Sequence, residues 1–414
     1  MTTDTGAPVT EQRTVRAASF AVFAVFFLNG FNFATWASRL PAVRDGLEFS
    51  QAQMGLLLLV IAVGSLAALP LAGMVVERLG ARRTVGTFAL LNALGLILAS
   101  TGVGLDTVPV TVVGLVVFGV GTGVWDAAMN LEGAAVEQKL GYTVMPRYHA
   151  SFSFGTFAAA GIAAVVAGFG VPVWIHLPVA VVVTSACVLV AIRSFLPSAD
   201  EHVVAQSPGT EPAATAPRGA RGALAAWIEP RTLLIGLVVL AAALTEGSAN
   251  DWVGLAVVDG WDAPDALAAV AFAVFVGTMT TARWFGTWVL DRYGRVAVLR
   301  TCSVLALVGL GIFALVGPLW LAMIGIVLWG AGASLGFPVG MSAASDDPVR
   351  AAARLSVVST IGYSAFLAGP PLLGLLAHHI GYRHALLAVA IPTVLGLLVT
   401  GAAAPLRKTS TSAD

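Results

Sequence analysis

Some of the side chains best able to do chemistry in this chain stand where charge is costly. Asp126, Glu246, Arg283, His149 and His176 fall inside long apolar runs, and Glu132 and Asp251 stand near the ends of such runs. At the centre of a membrane-spanning helix an ionisable group costs about 2.5–3.5 kcal/mol on insertion scales, so it must face the bundle interior or a water-filled cavity. A partly desolvated carboxyl there can exchange a proton near neutrality. Glu246 is the most informative. Fifteen residues past Arg231, at about 1.5 Å each, place it about 22 Å along its helix, just beyond the membrane middle. Asn250 shares its face one turn on. The run Glu246-Gly247-Ser248-Ala249-Asn250-Asp251 is a poor helix former, so the helix is expected to loosen there. Glu246 then serves proton coupling or solute contact, or is a neutral acid bonded between helices. Asp251 is either an outer gate or a helix-end carboxylate.

Near the other end of the chain Asn29, Asn32 and Trp36 offer amides and an aromatic face, and Trp252 stands opposite Trp36 in the repeat described below. Amides and ring faces suit a sugar-like or small polar solute. The competing readings are interhelical hydrogen bonds for the amides and an aromatic belt for the tryptophans. Asp126, Asn130, Glu132, Arg147, His149 and Arg283 are expected at similar depths toward the cytoplasm. They read as a gate pairing across the two halves of the chain, with two competing uses: Arg283 holding an anionic solute, or static pairs within one half.

Elements must hold these groups in place, and the composition says which. Of 414 residues 58% are hydrophobic and 11% charged, against about 45–50% and about 25% in ordinary soluble domains. Lys+Arg and Asp+Glu are equal at 22, and mean hydropathy is +0.89. Disorder, a basic nucleic-acid binder and a disulfide-stapled secreted domain are excluded. A polytopic membrane protein remains, with the lipid bilayer as its surroundings. Twelve apolar windows of about 20 residues are long enough to cross: 17–38, 52–75, 84–103, 108–131, 148–169, 171–195, 232–255, 266–289, 297–316, 318–343, 355–377 and 384–404. All but four of the 22 bases fall on one side if both termini are cytoplasmic. Arg39, Arg44 and Arg383 lie outside, and Arg283 lies within a span. Cys187 and Cys302 read as small core residues. No Walker or cofactor motif appears; Gly119-Val120-Gly121-Thr122-Gly123 lies within a span and reads as helix packing. His378, His379 and His384 lack an acid or Cys to complete a metal site. No cofactor, metal or nucleic acid is expected, and no enzyme constellation appears.

The chain repeats weakly. Glu77-Arg78-Leu79-Gly80 returns as Asp291-Arg292-Tyr293-Gly294; Gly114, Gly119 and Gly121 return as Gly325, Gly330 and Gly332; Arg147 and Gly155 return as Arg354 and Gly362. A Pro-, Ala- and Ser-rich stretch separates the copies. The expected organisation is a six-helix bundle over 1–196, a flexible cytoplasmic linker over 197–228 and a second bundle over 229–414.

Gly73, Glu77, Arg78, Gly80, Arg82 and Arg83, echoed by Asp291, Arg292, Gly294 and Arg295, resemble the cytoplasmic loop signature of the major facilitator superfamily, with Glu where Asp is usual. Asn130 to Glu137, Glu246 to Trp252, Gly332 to Pro338 and Gly369-Pro370-Pro371 are similar to its YbjJ/MosC-like bacterial inner-membrane subgroup. The resemblance implies an all-α fold of two pseudo-symmetric six-helix bundles. It implies a secondary transporter working by alternating access, here for a small polar solute, with H+ as the coupled ion and a monomeric chain. An efflux carrier and a non-transporting sensor are the alternatives. The loop acids are expected to latch neighbouring helix N-termini, where the dipole favours negative charge.

Overall fold

Helix is the only regular element among the described residues, which in this computed structural model are 9–49, 51–197, 224–263 and 265–406. Most of the stretch read as a linker therefore lies outside them. Without water, a spanning backbone must satisfy its own polar groups, and helices do so internally. Fourteen α-helices follow in order: α1 Val9–Ala37, α2 Leu40–Gly46, α3 Gln51–Leu79, α4 Ala81–Gly104, α5 Val108–Leu140, α6 Met145–Gly168, α7 Val173–Ala191, α8 Pro230–Trp261, α9 Asp265–Tyr293, α10 Arg295–Leu315, α11 Leu319–Ala333, α12 Gly336–Ala344, α13 Ala351–Ala385 and α14 Ala390–Val399. Ten stretches among the described residues are long and apolar enough to cross a membrane. Windows 266–289 and 355–377 also lie in helices, α9 and α13. Large apolar side chains such as Phe20, Trp288 and Leu398 stand exposed on helix surfaces, as expected of faces that meet lipid.

The chain divides into two compact units, Met1–Ala223 and Leu224–Asp414. In the first, α1 packs on α6 and α7, and α4 and α3 pack on α5. In the second, α8 packs on α13, α14, α9 and α12, and α10 and α9 pack on α11. The repeated glycines explain this likeness. A Cβ on Gly114 would lie 2.8 Å from the Gly95 carbonyl oxygen, and one on Gly325 would lie 2.7 Å from that of Gly309. Gly119 meets α3 at Ile61 as Gly330 meets α9 at Phe275, and Gly121 meets α4 at Asn92 as Gly332 meets α10 at Ala306. Each copy uses the same three glycines to bring one helix onto two neighbours.

The loop glycines do different work. Gly80 (φ 75°, ψ 156°) and Gly294 (φ 77°, ψ 162°) reverse the chain between α3 and α4 and between α9 and α10. Gly381 adopts the same conformation (φ 76°, ψ 157°) and breaks α13 near its end. Such φ values suit glycine and few other residues. Arg39 and Arg383, two of the three bases read as external, act as staples. Arg39 donates to the Val171 carbonyl at 2.7 Å. Arg383 donates to the Val316 carbonyl and lies 3.7 Å over the Trp261 ring, whose Nε1 donates to the Gly317 carbonyl at 2.5 Å.

Candidate functional site

Pro338 has no N–H, so it cannot donate to the carbonyl four residues back, at Ser334. The helix breaks at that place, α11 ending at Ala333 and α12 starting at Gly336. Arg283, reaching from α9, supplies the missing donor: its Nε lies 2.9 Å from the Ser334 oxygen. Its Nη2 lies 2.5 Å from Glu246 Oε2 on α8. One guanidinium thus joins a carboxylate and an open carbonyl on separate helices. The Arg283 side chain is 4% exposed and Glu246 20%. This corrects the grouping that set Glu246 with solute and proton residues and Arg283 in a separate cytoplasmic layer, and it matches the alternative of static pairs within one half. The depth estimate ran along helix axes and left out an arginine's reach.

A second correction concerns α8, which runs unbroken through Glu246 to Asp251. Packing on several helices overrides the weak propensity of that run. The break falls instead in the Gly332–Pro338 segment. Asn250 and Asp251 are exposed on α8. Asp251 lines a shallow cleft with Leu244, Ser248, Trp252, Phe366 and Leu373. Trp252 stacks at a tilt on Tyr382, centroids 5.5 Å apart.

The first unit places its residues otherwise. Asn32 Nδ2 donates to Asn92 Oδ1 at 3.1 Å, Asn92 Nδ2 to Thr122 Oγ1 at 2.9 Å, and Thr184 Oγ1 to Asn32 Oδ1 at 2.5 Å. This network ties α1, α4, α5 and α7 together and occupies both ends of the Asn32 amide, which favours the interhelical reading over solute binding. Trp36 is 1% exposed and packs with Val43, Leu57 and Leu96, so it is neither an interfacial belt residue nor an open stacking face. Asn29 is buried on α1.

Asp126, Asn130 and His149 do come together. Asn130 Nδ2 donates to the Asp126 carbonyl at 2.9 Å, and His149 Nε2 lies 3.1 Å from Asn130 Oδ1. Buried Glu132 accepts from the Leu196 N–H at 2.7 Å, and Arg147 is exposed. Glu77, Arg78, Arg82, Arg83, Asp291 and Arg292 are exposed at their turns, and Gly73 is buried in α3. Three further acids latch helix ends. Glu137 accepts from the Val144 and Met145 N–H groups, both at 2.7 Å, where α6 begins. Asp346 accepts from Arg295 at 2.6 Å and from Arg231 at 2.7 Å. Glu229, just before α8, accepts from Arg354 Nε at 2.7 Å and Thr232 at 2.7 Å. Burial raises the Glu229 carboxyl, but these hydrogen bonds and the Arg354 and Arg350 charges more than offset it, leaving it below its ordinary value. Sequence reasoning did not single out Asp346, Glu229 or Glu137 as latches. For Glu229 the signal was present, an acid just before a proline that opens a helix.

The family model of the Major Facilitator Superfamily matches residues 22–351 and again 260–414. The chain belongs to this superfamily. An uncharacterized MFS-type transporter of Yersinia pestis is 31% identical over 91% of this chain and 92% of its own. The membrane protein MosC of Rhizobium meliloti is 28% identical over 90% and 86%. Among solved structures of this superfamily, the E. coli fucose:proton symporter FucP matches with a TM-score of 0.74 at 15% identity, covering 94% of this chain and 98% of that one. The proton:xylose symporter XylE matches with a TM-score of 0.75 at 13% identity, covering 94% and 95%. The all-helical, multi-pass major facilitator fold and a role in membrane transport follow. No group of three or more potential metal ligands occurs among the described residues.

Proposed function

We propose that this major facilitator protein is a proton-coupled secondary transporter of a small polar solute, sugar-like or otherwise organic. In this reading twelve helices cross the bacterial inner membrane with both termini in the cytoplasm, and a monomer works by alternating access of its two bundles. The observation that carries the coupling is the Glu246–Arg283–Ser334 bridge. With Glu246 ionised, Arg283 is held between α8 and the break in α11–α12. A proton on Glu246 removes the charge attraction and frees the guanidinium to change partners. Burial sharpens the contrast, because an uncompensated charge in a low-dielectric interior is costly. Two structural neighbours, a fucose:proton and a proton:xylose symporter, support the choice of a proton and of a polar solute.

The test begins with a solute that raises the apparent Tm of the purified chain in a library screen. In proteoliposomes the wild type is expected to accumulate that solute when the pH gradient is imposed. Glu246→Gln is expected to abolish accumulation while solute exchange continues. Gradient-driven accumulation that survives Glu246→Gln would sink the proposal.

A further inference from the structure

Arg300 is an arginine without an acid. It stands on α10, whose stretch Arg295–Leu315 is long and apolar enough to cross a membrane. Five residues past Arg295, at about 1.5 Å each, set it about 7.5 Å inside that end. The helix face it shares is exposed: Ala297, Val304 and Val308 stand on it at helical spacing. Such an apolar stripe meets lipid, and Arg300 is the one charge on it. Its only hydrogen bond among the described residues runs from Nε to Thr400 Oγ1 at 3.3 Å. It joins none of the ion pairs found among them. Helix side chains lean toward the N-terminus, so the guanidinium reaches back toward the Arg295 end and the headgroup layer.

Thr400 belongs to the single turn Thr400–Ala403 that follows α14, and a second arginine holds the same segment. Arg231 donates from Nε to the Ala402 carbonyl at 3.1 Å and from Nη2 to the Ala404 carbonyl at 3.0 Å. Its Nη2 also meets Asp346, which Arg295 shares. Three guanidiniums are thus linked to this turn, and the one carboxylate among these contacts is divided between two of them. With Nε engaged, both Nη groups of Arg300 remain for an anion. An arginine fork matches phosphate oxygens bidentately, and basic sites between spanning helices suit lipid headgroups. Charge selects among the lipids. A zwitterionic headgroup brings an ammonium, for which Asp346 is already taken, whereas an anionic headgroup brings its phosphate without one.

We propose that the α10 face at Arg300 binds one anionic phospholipid, whose phosphate accepts from the two Nη groups while an acyl chain lies along Val304 and Val308. The lipid then ties the start of α10 to the turn after α14 through Arg300 and Thr400. The site goes beyond the transport reading and stands whether or not a proton is coupled.

The test uses phosphatidylglycerol as its probe. The purified full chain in a neutral detergent is melted with added phosphatidylglycerol, phosphatidylethanolamine or inorganic phosphate, since a ligand of the native state raises the apparent Tm. The wild type is expected to respond to phosphatidylglycerol and to neither of the others. Arg300→Gln is expected to need about tenfold more phosphatidylglycerol for the same rise, the scale of a hydrogen bond to a charged group. Arg300→Lys, which keeps the charge and loses the fork, is expected to fall between. Arg193→Gln, at an exposed arginine just past α7, is expected to respond as the wild type does. An equal loss in Arg193→Gln overturns the proposal by assigning the effect to bulk surface charge. An equal rise with phosphatidylethanolamine overturns the choice of an anionic headgroup, and an equal rise with inorganic phosphate makes the site one for a free anion. A wild type that ignores phosphatidylglycerol, or an Arg300→Gln response equal to the wild type's, overturns it outright.

Discussion

At the scale of single residues, the chain sets its charges at junctions between helices. Glu229 is a case with a calculable sign. Its carboxyl is held below its ordinary value in the folded chain, so its stabilisation is present above the unfolded value of about 4.3 and is lost as pH falls through the folded one. Melting followed from pH 7 to pH 3 should show Glu229→Gln less stable than the wild type at neutrality, by about 1 kcal/mol after solvent screening. The two curves should converge in acid. Glu246 and Arg283 were both legible as costly residues, because a charge inside an apolar run stands out in any reading. Their pairing was not legible, since it depends on how two helices are turned about their axes. The choice left open at Asn32 has the same origin: an amide shows that a partner is needed without showing which.

At the scale of elements, the glycine repeat was visible as spacing, and the structure supplies its reason. Gly325 has no room for a methyl group against the Gly309 carbonyl, whereas nothing lies within 4 Å of a Cβ at Gly311, on the next helix. Gly325→Ala should therefore lower the apparent Tm by forcing α10 and α11 apart. Gly311→Ala should hold or raise it, since alanine is the better helix former by about 1 kcal/mol. Thermal denaturation in detergent compares the two, and equal effects would contradict the packing account. The expected loosening of α8 failed because local propensity is a weak prior beside tertiary contacts. The actual break was legible in principle. Pro338 marks the missing donor, and Ser334 is four residues back; what could not be read was the arginine that answers it.

At the scale of the whole molecule, hydropathy and the sidedness of the bases were enough to read a multi-pass helical protein. The two-unit division of contacts gives each half its own core. Sidedness makes its own prediction. With Cys187 and Cys302 replaced, a cysteine at Asp259 should react with a membrane-impermeant maleimide added to intact cells. One at Arg292 should react only after the cells are opened. The reverse pattern would invert the orientation. The feature with the widest consequence is Pro338. In most of a spanning helix, rigidity is internal: each carbonyl is held by an N–H four residues on in the same helix, and no titratable group takes part. At Ser334 that grip has been handed to a side chain from elsewhere, whose other contact is an acid. The stiffness of this one joint is then a variable the surroundings can set, and a single proton is a sufficient input.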